Sequence, residues 1–439
     1  MQPPTLKKKK SVKYFHGYKL TDYYNWVHQN NILDVLSNSS LLDKDVKNYL
    51  TKENTYTDKM MLSTKSIQKI LFKEIKGRIK LSDKSLPFID KKYSYWSKTT
   101  EKGNYSIKLR KHLKTGKIEQ IWNGDLEYKK LKPSYFGVGD LSVSHNDKLL
   151  AYSLDLKGSE YYDIHIRRLK NKKKLKDVIR ETNGNILFSN DDKYIFYIKL
   201  DSLHRSKSIF LHKIGTSQKS DKEIYKETID RFTVSINTTS DEKYFVISSG
   251  DHSTNKCFLL DASLKNLKLK LFRDYKENIS YSLNSWDGFF YNHTNDKAVD
   301  YKIERYKHNN LSKAEDYIKP KKNTIIGGYI ILKKWFLWTE TKDANQKIFL
   351  KNLISQNIEE INFFEDKIKS ISISTYQKNK DTDLIYINYS SPKSPNKNYL
   401  YNLKNKKRKI VKIQNIPSGF NEENYITERI HAKAKDGIK

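Results

Sequence analysis

The sequence predicts a mainly β fold: a seven-bladed β-propeller preceded by an N-terminal arm with two helices. A strong apolar strand recurs seven times, at intervals of 45 to 56 residues. Each recurrence stands in a repeat of about four short strands, which is typical of propellers. Tyr, Ile and Phe are frequent, and these residues suit pleated, half-buried surfaces. The seven strong strands begin near Tyr93, Leu149, Tyr194, Tyr244, Phe289, Trp335 and Leu384.

The first 82 residues do not follow this repeat and form a separate predicted segment. Pro3, Pro4 and the lysine run that follows predict an extended arm. A helix is predicted over about residues 43–62, where Asp43 or Asp45 can cap its N-terminus. A second helix is predicted over about 64–79, and its apolar stripe requires a partner surface. This stripe consists of Ile67, Ile70, Leu71, Ile75 and Ile79.

The seven repeats occupy residues 83–413, and polar turns mark their first strand connections. Turns at 144–148, 189–193 and 239–243 contain Ser or Thr followed by Asn, Asp or Glu, whose short side chains bond their own backbone. The lysine runs 170–174 and 404–408 fall between third and fourth strands. We interpret them as solvated hairpin turns with Asn171 and Asn405 at positive φ, rather than as a polybasic patch or a nuclear signal.

The charge of the chain has two possible explanations. Its 439 residues carry a net charge of +33, which could indicate a surface that binds polyanions. Only 11 of the 84 basic residues are arginine, whereas Asn, Ile and Tyr are abundant. Nucleic-acid recognition relies on arginine for bidentate contacts. The composition therefore favours drift toward AT-rich codons over a nucleic-acid function.

Hydrophobic patterning and cysteine content indicate the cellular compartment. No window approaches the ~18 apolar residues of a membrane span, and the N-terminal lysines precede no apolar signal segment. The only cysteine, Cys257, excludes an internal disulfide and is predicted to be a core residue. A cytoplasmic location, without a membrane partner, is expected.

No motif in the sequence predicts chemistry. Gly-x-Ser-x-Gly, P-loop, dinucleotide-binding and His-Glu-x-x-His patterns do not occur. The acidic pairs Asp191-Asp192 and Glu359-Glu360 are predicted to face solvent in turns or on edge strands. We therefore predict no catalytic residue, no bound cofactor and no metal site. The 11 histidines are scattered along the chain, and no two of these six have a metal-ligand spacing with a carboxylate between them: His16, His145, His204, His212, His293 and His431.

Several phrases in order resemble the prolyl oligopeptidase family of serine peptidases, especially its oligopeptidase B-like members. His16-Gly17 and the following Asp22-Tyr23-Tyr24-Asn25-Trp26 resemble the opening of that family. Residues 49–56 are similar to its helix phrase Tyr-Leu-x-x-Glu-Asn-x-Tyr. Residues 212–227, which begin His-Lys-Ile-Gly-Thr, resemble the most diagnostic phrase of its propeller. Residues 417–437, which contain Pro-x-Gly-Phe and end in Lys-Asp-Gly, resemble the crossover out of the propeller.

The resemblance implies a division into residues 1–82 as arm, 83–413 as propeller and 414–439 as crossover toward an α/β-hydrolase domain. In the family, the Ser, Asp and His of the triad lie in that domain, and no position here matches them. The implied function is the propeller portion of an oligopeptidase B-like endopeptidase that gates access of short peptides. Its implied partners are the hydrolase domain and peptides with basic residues. The chain alone is expected to be inactive.

An alternative hypothesis is a free-standing propeller that binds proteins or peptides, since this architecture hosts many functions. A third hypothesis, a basic nucleic-acid binder, would require affinity that falls steeply with salt.

Overall fold

A computed structural model describes residues 2–364 and 366–437, apart from the side chains of Leu33 and Ser37. The chain divides into two compact units. The first contains Met1–Lys80, Leu156–Ser159 and Ile416–Gly419. The second contains Leu81–Asp155, Glu160–Asn415 and Phe420–Lys439.

The first unit contains the two predicted helices and further elements that the sequence did not predict. Asp43 caps α2, since its carboxylate accepts hydrogen bonds from the backbone N–H groups of Asp45 and Val46. A hairpin of two strands and a short helix lie between the lysine run and α2, where no element was predicted. The elements are β1 (Ser11–Phe15), β2 (Tyr18–Asp22), α1 (Ile32–Ser37), α2 (Lys44–Met60) and α3 (Lys65–Gly77).

The second unit consists of antiparallel strands that follow the predicted repeats. Repeat 1 contains β3 (Phe88–Asp90), β4 (Tyr93–Lys98), β5 (Ile107–His112) and β6 (Ile118–Asn123). Repeat 2 contains β7 (Gly137–Val143), β8 (Leu149–Asp155), β9 (Tyr162–Arg168) and β10 (Lys174–Thr182). Repeat 3 contains β11 (Leu187–Phe188), β12 (Tyr194–Leu200), β13 (Ser206–Lys213) and β14 (Lys222–Lys226).

The remaining repeats have the same order. Repeat 4 contains β15 (Thr233–Thr238), β16 (Tyr244–Gly250), β17 (Asn255–Asp261) and β18 (Lys270–Arg273). Repeat 5 contains β19 (Tyr281–Trp286), β20 (Phe289–Thr294), β21 (Lys302–Lys307) and β22 (Asn310–Ile318). Repeat 6 contains β23 (Ile325–Ile331), β24 (Trp335–Lys342), β25 (Asn345–Asn352) and β26 (Ile358–Ile361). Repeat 7 contains β27 (Ser370–Thr375), β28 (Leu384–Ser391), β29 (Ser394–Asn402) and β30 (Arg408–Ile413).

The sheets match the expected propeller in part. Repeats 1, 4, 5, 6 and 7 are separate four-stranded sheets, whereas repeats 2 and 3 share one eight-stranded sheet. The strands β10 and β12 join these two repeats through one residue pair, Thr182 with Lys199. A helix that was not predicted, α4 (Gly124–Leu131), lies in the long connection between repeats 1 and 2. The prediction of separate four-stranded blades is therefore confirmed for five repeats. Repeats 2 and 3 instead form one fused sheet.

The seven predicted starts of the strong strands coincide with the starts of the second strands in the structure. Six of these strands contain at least three consecutive buried residues, which explains their continuous apolar runs, whereas β4 is half-buried throughout. In β8, for example, six consecutive residues are buried. The cores lie between neighbouring sheets: Ile303 of repeat 5 packs with Phe336 of repeat 6, and Leu337 of repeat 6 packs with Ile385 of repeat 7.

One backbone hydrogen bond recurs in all seven repeats. We call the first-to-second-strand connection the inner turn and the third-to-fourth-strand connection the outer hairpin. The first residue of each outer hairpin donates its N–H to the last carbonyl of the inner turn, at 2.8 to 3.0 Å. Both connections therefore lie at the same end of each sheet. The pairs are Leu113 with Lys92, Leu169 with Lys148, Ile214 with Lys193, Ala262 with Lys243, His308 with Gly288, Leu353 with Lys334 and Leu403 with Asp383.

The two lysine runs form outer hairpins, as predicted, but the residue at positive φ was wrongly assigned. Lys172 and Lys406, rather than the asparagines, have φ of 57° and 60°. The side chain of Asn171 instead accepts a hydrogen bond from the N–H of Lys173 at 3.1 Å, and Asn405 does the same for Lys407 at 3.0 Å. The carboxamide closes the turn, and the lysine that follows adopts the left-handed conformation.

Candidate functional site

The inner turns of repeats 1 to 4 contact their neighbours through polar groups. The carboxylate of Asp192 in repeat 3 accepts hydrogen bonds from the N–H groups of His145 and Asn146 in repeat 2, at 2.6 and 2.8 Å. The side chain of Asn190 donates to the carbonyl of Glu242 in repeat 4 at 2.7 Å. Lys91 of repeat 1 donates to the carbonyl of His145 at 2.6 Å. We call this set of inner turns the inner ring.

The first and last repeats join at a seam that closes this ring. Ile89 of β3 and Gln377, just after β27, form a parallel bridge. The N–H of Lys378 donates to the carbonyl of Ile89 at 2.8 Å. The hydroxyl of Tyr386 donates to the carbonyl of Pro87, also at 2.8 Å. Because residues nearly 300 positions apart are paired directly, repeat 7 follows repeat 1 around the ring.

Charged side chains of repeats 1, 4 and 7 meet at this end of the sheets. Lys378 Nζ lies 2.7 Å from Glu242 Oε1 and 4.0 Å from Asp90 Oδ2. Burial would raise the pKa of Glu242, but the hydrogen bond from Lys378 holds this pKa below its usual value. Burial raises the pKa of Asp90, and burial also lowers the pKa of Lys380 in the same turn as Lys378. The cluster brings together charged groups of repeats 1, 4 and 7, and it contains no serine, threonine or cysteine side chain.

His212 forms the most buried ionisable cluster, although the histidines are scattered in the sequence. Its Nδ1 lies 2.7 Å from Asp221 Oδ1, and its Nε2 lies 3.1 Å from Asp177 Oδ1 in repeat 2. The hydroxyl of Tyr197 donates to the second oxygen of Asp221 at 2.9 Å, and the N–H of Gly215 donates to Asp177. The side chains of His212, Asp177 and Asp221 are at most 3% exposed. Since both ring nitrogens are occupied, we interpret the cluster as a tie between repeats 2 and 3.

The prediction that both acidic pairs lie on edge strands or in solvated turns is right for one pair and wrong for Asp192. Glu359 and Glu360 lie on the edge strand β26, as predicted, and pair with Lys406 and Lys347. The prediction for Asp192 was wrong, because its side chain is 6% exposed and binds the turn of repeat 2. Periodicity within one repeat could not indicate this contact between repeats.

The other histidines are not brought together. His16 lies in the β1–β2 turn at positive φ, and His293 stacks on Tyr301 with 4.7 Å between ring centroids. His145 Nδ1 lies 3.2 Å from Asp192, while His204 packs against Tyr161. His431 is exposed. Within residues 2–364 and 366–437, no group of three or more His, Cys, Asp or Glu side chains could hold a metal ion.

The predicted apolar stripe of α3 is exposed. Ile70 and Ile75 are each 60% accessible, and no residue of α3 is buried. The stripe is therefore exposed among the described residues, and the expectation that it packs on a partner surface stays a prediction. The helices in the same described residues are all too short or too polar to cross a membrane.

Comparisons with known proteins agree with this architecture. Dipeptidyl aminopeptidase BI of Pseudoxanthomonas mexicana is 24% identical over 453 residues, which cover 99% of this chain and 61% of that protein. Protease 2 of Moraxella lacunata is 20% identical over 445 residues, which cover 100% of this chain and 62% of that protein. The chain thus spans about three fifths of the length of these curated relatives.

Solved structures show the same fold over the whole chain. Oligopeptidase B from Leishmania major superposes with a TM-score of 0.88 at 20% identity, covering 100% of this chain and 64% of its own. Oligopeptidase B from Trypanosoma brucei, in a closed form with covalently bound antipain, gives a TM-score of 0.89 at 21% identity and the same coverage. The family model of the prolyl oligopeptidase N-terminal beta-propeller domain matches residues 3–414, and this chain therefore belongs to that family.

Proposed function

We propose that this chain is the propeller portion of an oligopeptidase B-like serine endopeptidase and that it limits access of short peptides to the catalytic site. The observation that carries the proposal is the closed inner ring, with Lys378 and Glu242 in contact across it. A propeller whose inner turns close one end excludes folded proteins at that end. Flexible peptides would then have to enter by another route. The family membership provides the peptidase context.

We further propose that residues 83–413 form seven blades, with residues 1–82 as an arm and 414–439 as a crossover. The seven equivalent hydrogen bonds between outer hairpins and inner turns support this number. In this interpretation the eight-stranded sheet is two blades that touch through Thr182 and Lys199.

The catalytic triad, in this proposal, belongs to an α/β-hydrolase domain outside residues 1–439. The exposed face of α3 supports such a partner. Burial of an aliphatic side chain as large as Ile70 contributes about 1.5–3 kcal/mol, so a few such residues suffice to hold a domain in place. The substrates would be short peptides, with basic residues as the resemblance implies, and no cofactor is required. The single buried cysteine suits a cytoplasmic setting.

The test uses the longest reading frame that contains this chain, compared with residues 1–439 alone. Fluorogenic peptides of increasing length are offered to both, together with casein as a large substrate. We expect the longer polypeptide to cleave short peptides, to discriminate against casein, and to be blocked by a serine-directed phosphonate. Residues 1–439 should show no turnover above background. Hydrolysis by the shorter chain that survives purification, or equal cleavage of casein and short peptides by the longer one, would contradict the proposal.

A further inference from the structure

The outer hairpins carry ten of the 33 net positive charges of the chain, a share larger than their length would give. Together these hairpins contain eleven lysines and one aspartate, and none contains arginine, glutamate, Phe, Tyr or Trp. The segments between the third and fourth strands are 113–117, 169–173, 214–221, 262–269, 308–309, 353–357 and 403–407.

The opposite end of the same sheets has a different charge balance. The segments that join second to third strands contain five basic and seven acidic residues. These segments are 99–106, 156–161, 201–205, 251–254, 295–301, 343–344 and 392–393. Compositional drift toward lysine would act on both sets of connections alike. It therefore does not explain why lysines without matching acids collect in one set.

The hairpin lysines are available for a ligand. All eleven are exposed. Lys117 lies 3.9 Å from Glu119, and Lys406 pairs with Glu359. For the other nine, no carboxylate lies within the 4.0 Å of an ion pair among residues 2–364 and 366–437. Positively charged lysines without a carboxylate partner repel each other, and binding of an anionic partner would relieve this repulsion.

Most of these lysines form one continuous arc. Repeats 7, 1 and 2 follow one another around the ring because the seam joins repeat 7 to repeat 1. Their outer hairpins contain eight of the eleven lysines, and those of repeats 5 and 6 contain none. Two aliphatic side chains lie exposed beside them: Leu113 in the hairpin of repeat 1 is 47% accessible, and Ile354 in that of repeat 6 is 76% accessible.

We propose that this arc, formed by the outer hairpins of repeats 7, 1 and 2, binds peripherally to membranes that contain anionic phospholipids. Lysine ammonium groups interact with lipid phosphates as point charges, and exposed aliphatic side chains can enter the headgroup region. Nucleic acid fits less well, because its binding relies on arginine forks and aromatic stacking, and the hairpins contain neither group. Such binding needs no spanning helix, and it revises the expectation that the protein has no membrane partner.

The experiment measures sedimentation of the 439-residue chain with vesicles of phosphatidylcholine alone or with about 30% phosphatidylglycerol, a fraction that gives the surface a negative potential. We expect binding to the anionic vesicles only, with an affinity that falls steeply between low and physiological salt. The test variant replaces Lys172, Lys173, Lys404 and Lys407 by Gln. The control variant makes the same charge change at Lys102, Lys297, Lys319 and Lys322, which are exposed and lie in other connections.

Each lysine near an anionic surface contributes roughly fivefold to the partition coefficient. Loss of four such lysines should therefore weaken binding by roughly several hundredfold in the test variant, whereas the control variant should change less than about threefold. Equal losses in the two variants would mean that net charge alone drives binding, which would overturn the assignment of the arc. Failure of the unmodified chain to bind anionic vesicles at low salt, or binding to a DNA duplex or single-stranded RNA without vesicle binding, would also overturn it. A thermal melt of each variant confirms that it is folded.

Discussion

The ammonium group of Lys378 lies 2.7 Å from the carboxylate of Glu242, although the two residues belong to repeats 7 and 4, which are not neighbours. Repeat 7 contacts repeat 1 through the seam. The ion pair adds a tie across the centre, so opening at the seam would also move or break this contact. Lys378 therefore takes part in both contacts, through its backbone N–H at the seam and through its side chain at Glu242.

Replacement of Lys378 by Met should lower the free energy of unfolding by about 0.5–1 kcal/mol at neutral pH, because Glu242 loses its partner while it remains partly exposed. The pKa of Glu242 is held below its usual value, so the contribution is present at neutral pH and disappears as the carboxylate is protonated in acid. Urea unfolding at about pH 7 and at about pH 4 measures both effects. Lys406→Met, which breaks the exposed pair with Glu359, is the control and should change stability less.

The buried carboxylate of Glu227 makes a stronger prediction. Glu227 is 1% exposed at its side chain and accepts hydrogen bonds from Ser249, from the hydroxyl of Tyr225 at 2.7 Å and from the N–H of Ile229 at 2.7 Å. Lys256 Nζ lies 3.1 Å away. Burial acts to raise the pKa of Glu227, but these contacts outweigh it and lower the pKa to about 2.

Glu227→Gln should therefore destabilise the chain by about 2–4 kcal/mol at neutral pH. Because the folded pKa is depressed, the stabilisation by Glu227 is complete above the ordinary carboxyl pKa of 4.5 and is lost as the pH falls toward about 2. The difference between wild type and variant should shrink across this range in urea titrations. Glu223→Gln, at an exposed position of β14, is the control. A difference that stays constant from neutral pH down to about pH 2 would contradict the assigned ionisation.

The second strands were predictable from the sequence because both of their faces are buried or half-buried. Leu149 and Trp335, for example, begin runs whose apolar character does not alternate. Local turn chemistry likewise placed the outer hairpins, since a short run of Lys and Asn between two strands has few other conformations. These features depend on neighbours in the sequence, so a single chain is sufficient to recognise them.

The inner ring and the His212 cluster could not be predicted in the same way. Asp177 is 35 positions from His212, and Glu242 is 136 positions from Lys378. Their contacts exist only after the sheets have packed and the seam has closed. The hairpin β1–β2 and the helix α4 were missed for another reason, because each is short and lies in a segment without strong periodicity. The phrase around His212 resembled the family pattern, but resemblance alone did not indicate which groups its ring would contact.

The tie at His212 gives a prediction on the junction of repeats 2 and 3. His212→Ala leaves Asp177 and Asp221 buried without the ring that lies between them, so we expect a loss of about 2–4 kcal/mol in the free energy of unfolding. His252→Ala, at an exposed position, should change stability by less than about 0.5 kcal/mol. Hydrogen exchange should locate the increased opening in β10 and β13. A uniform increase over all repeats would instead indicate that the junction is not a separate tie.

The exposed face of α3 predicts opposite effects on stability and on assembly. Ile70→Lys with Ile75→Lys should change the free energy of unfolding of the 439-residue chain by less than about 0.5 kcal/mol, because both side chains are exposed. In the longer reading frame the same two substitutions should abolish peptidase activity or solubility. Contact with a catalytic domain would bury two unpaired lysine charges, which costs free energy. Lys69→Gln with Lys73→Gln, on exposed positions of the same helix, should leave activity unchanged. Full activity of the double lysine variant would exclude this face as the contact to a catalytic domain.

Cys257 provides a direct probe of the core of repeat 4. Its side chain lies on β17, is 1% exposed, and packs with Val246 and Phe290. Burial raises the pKa of its thiol to about 12, so the reactive thiolate is scarce at mildly alkaline pH. We expect the folded chain to resist a disulfide-exchange reagent for hours at about pH 8 and to react stoichiometrically in urea. Rapid labelling of the native protein would show that the sheets of repeats 4 and 5 separate readily. Denaturant dependence of the labelling rate then distinguishes such a local opening, which depends weakly on urea, from global unfolding, which depends on it steeply.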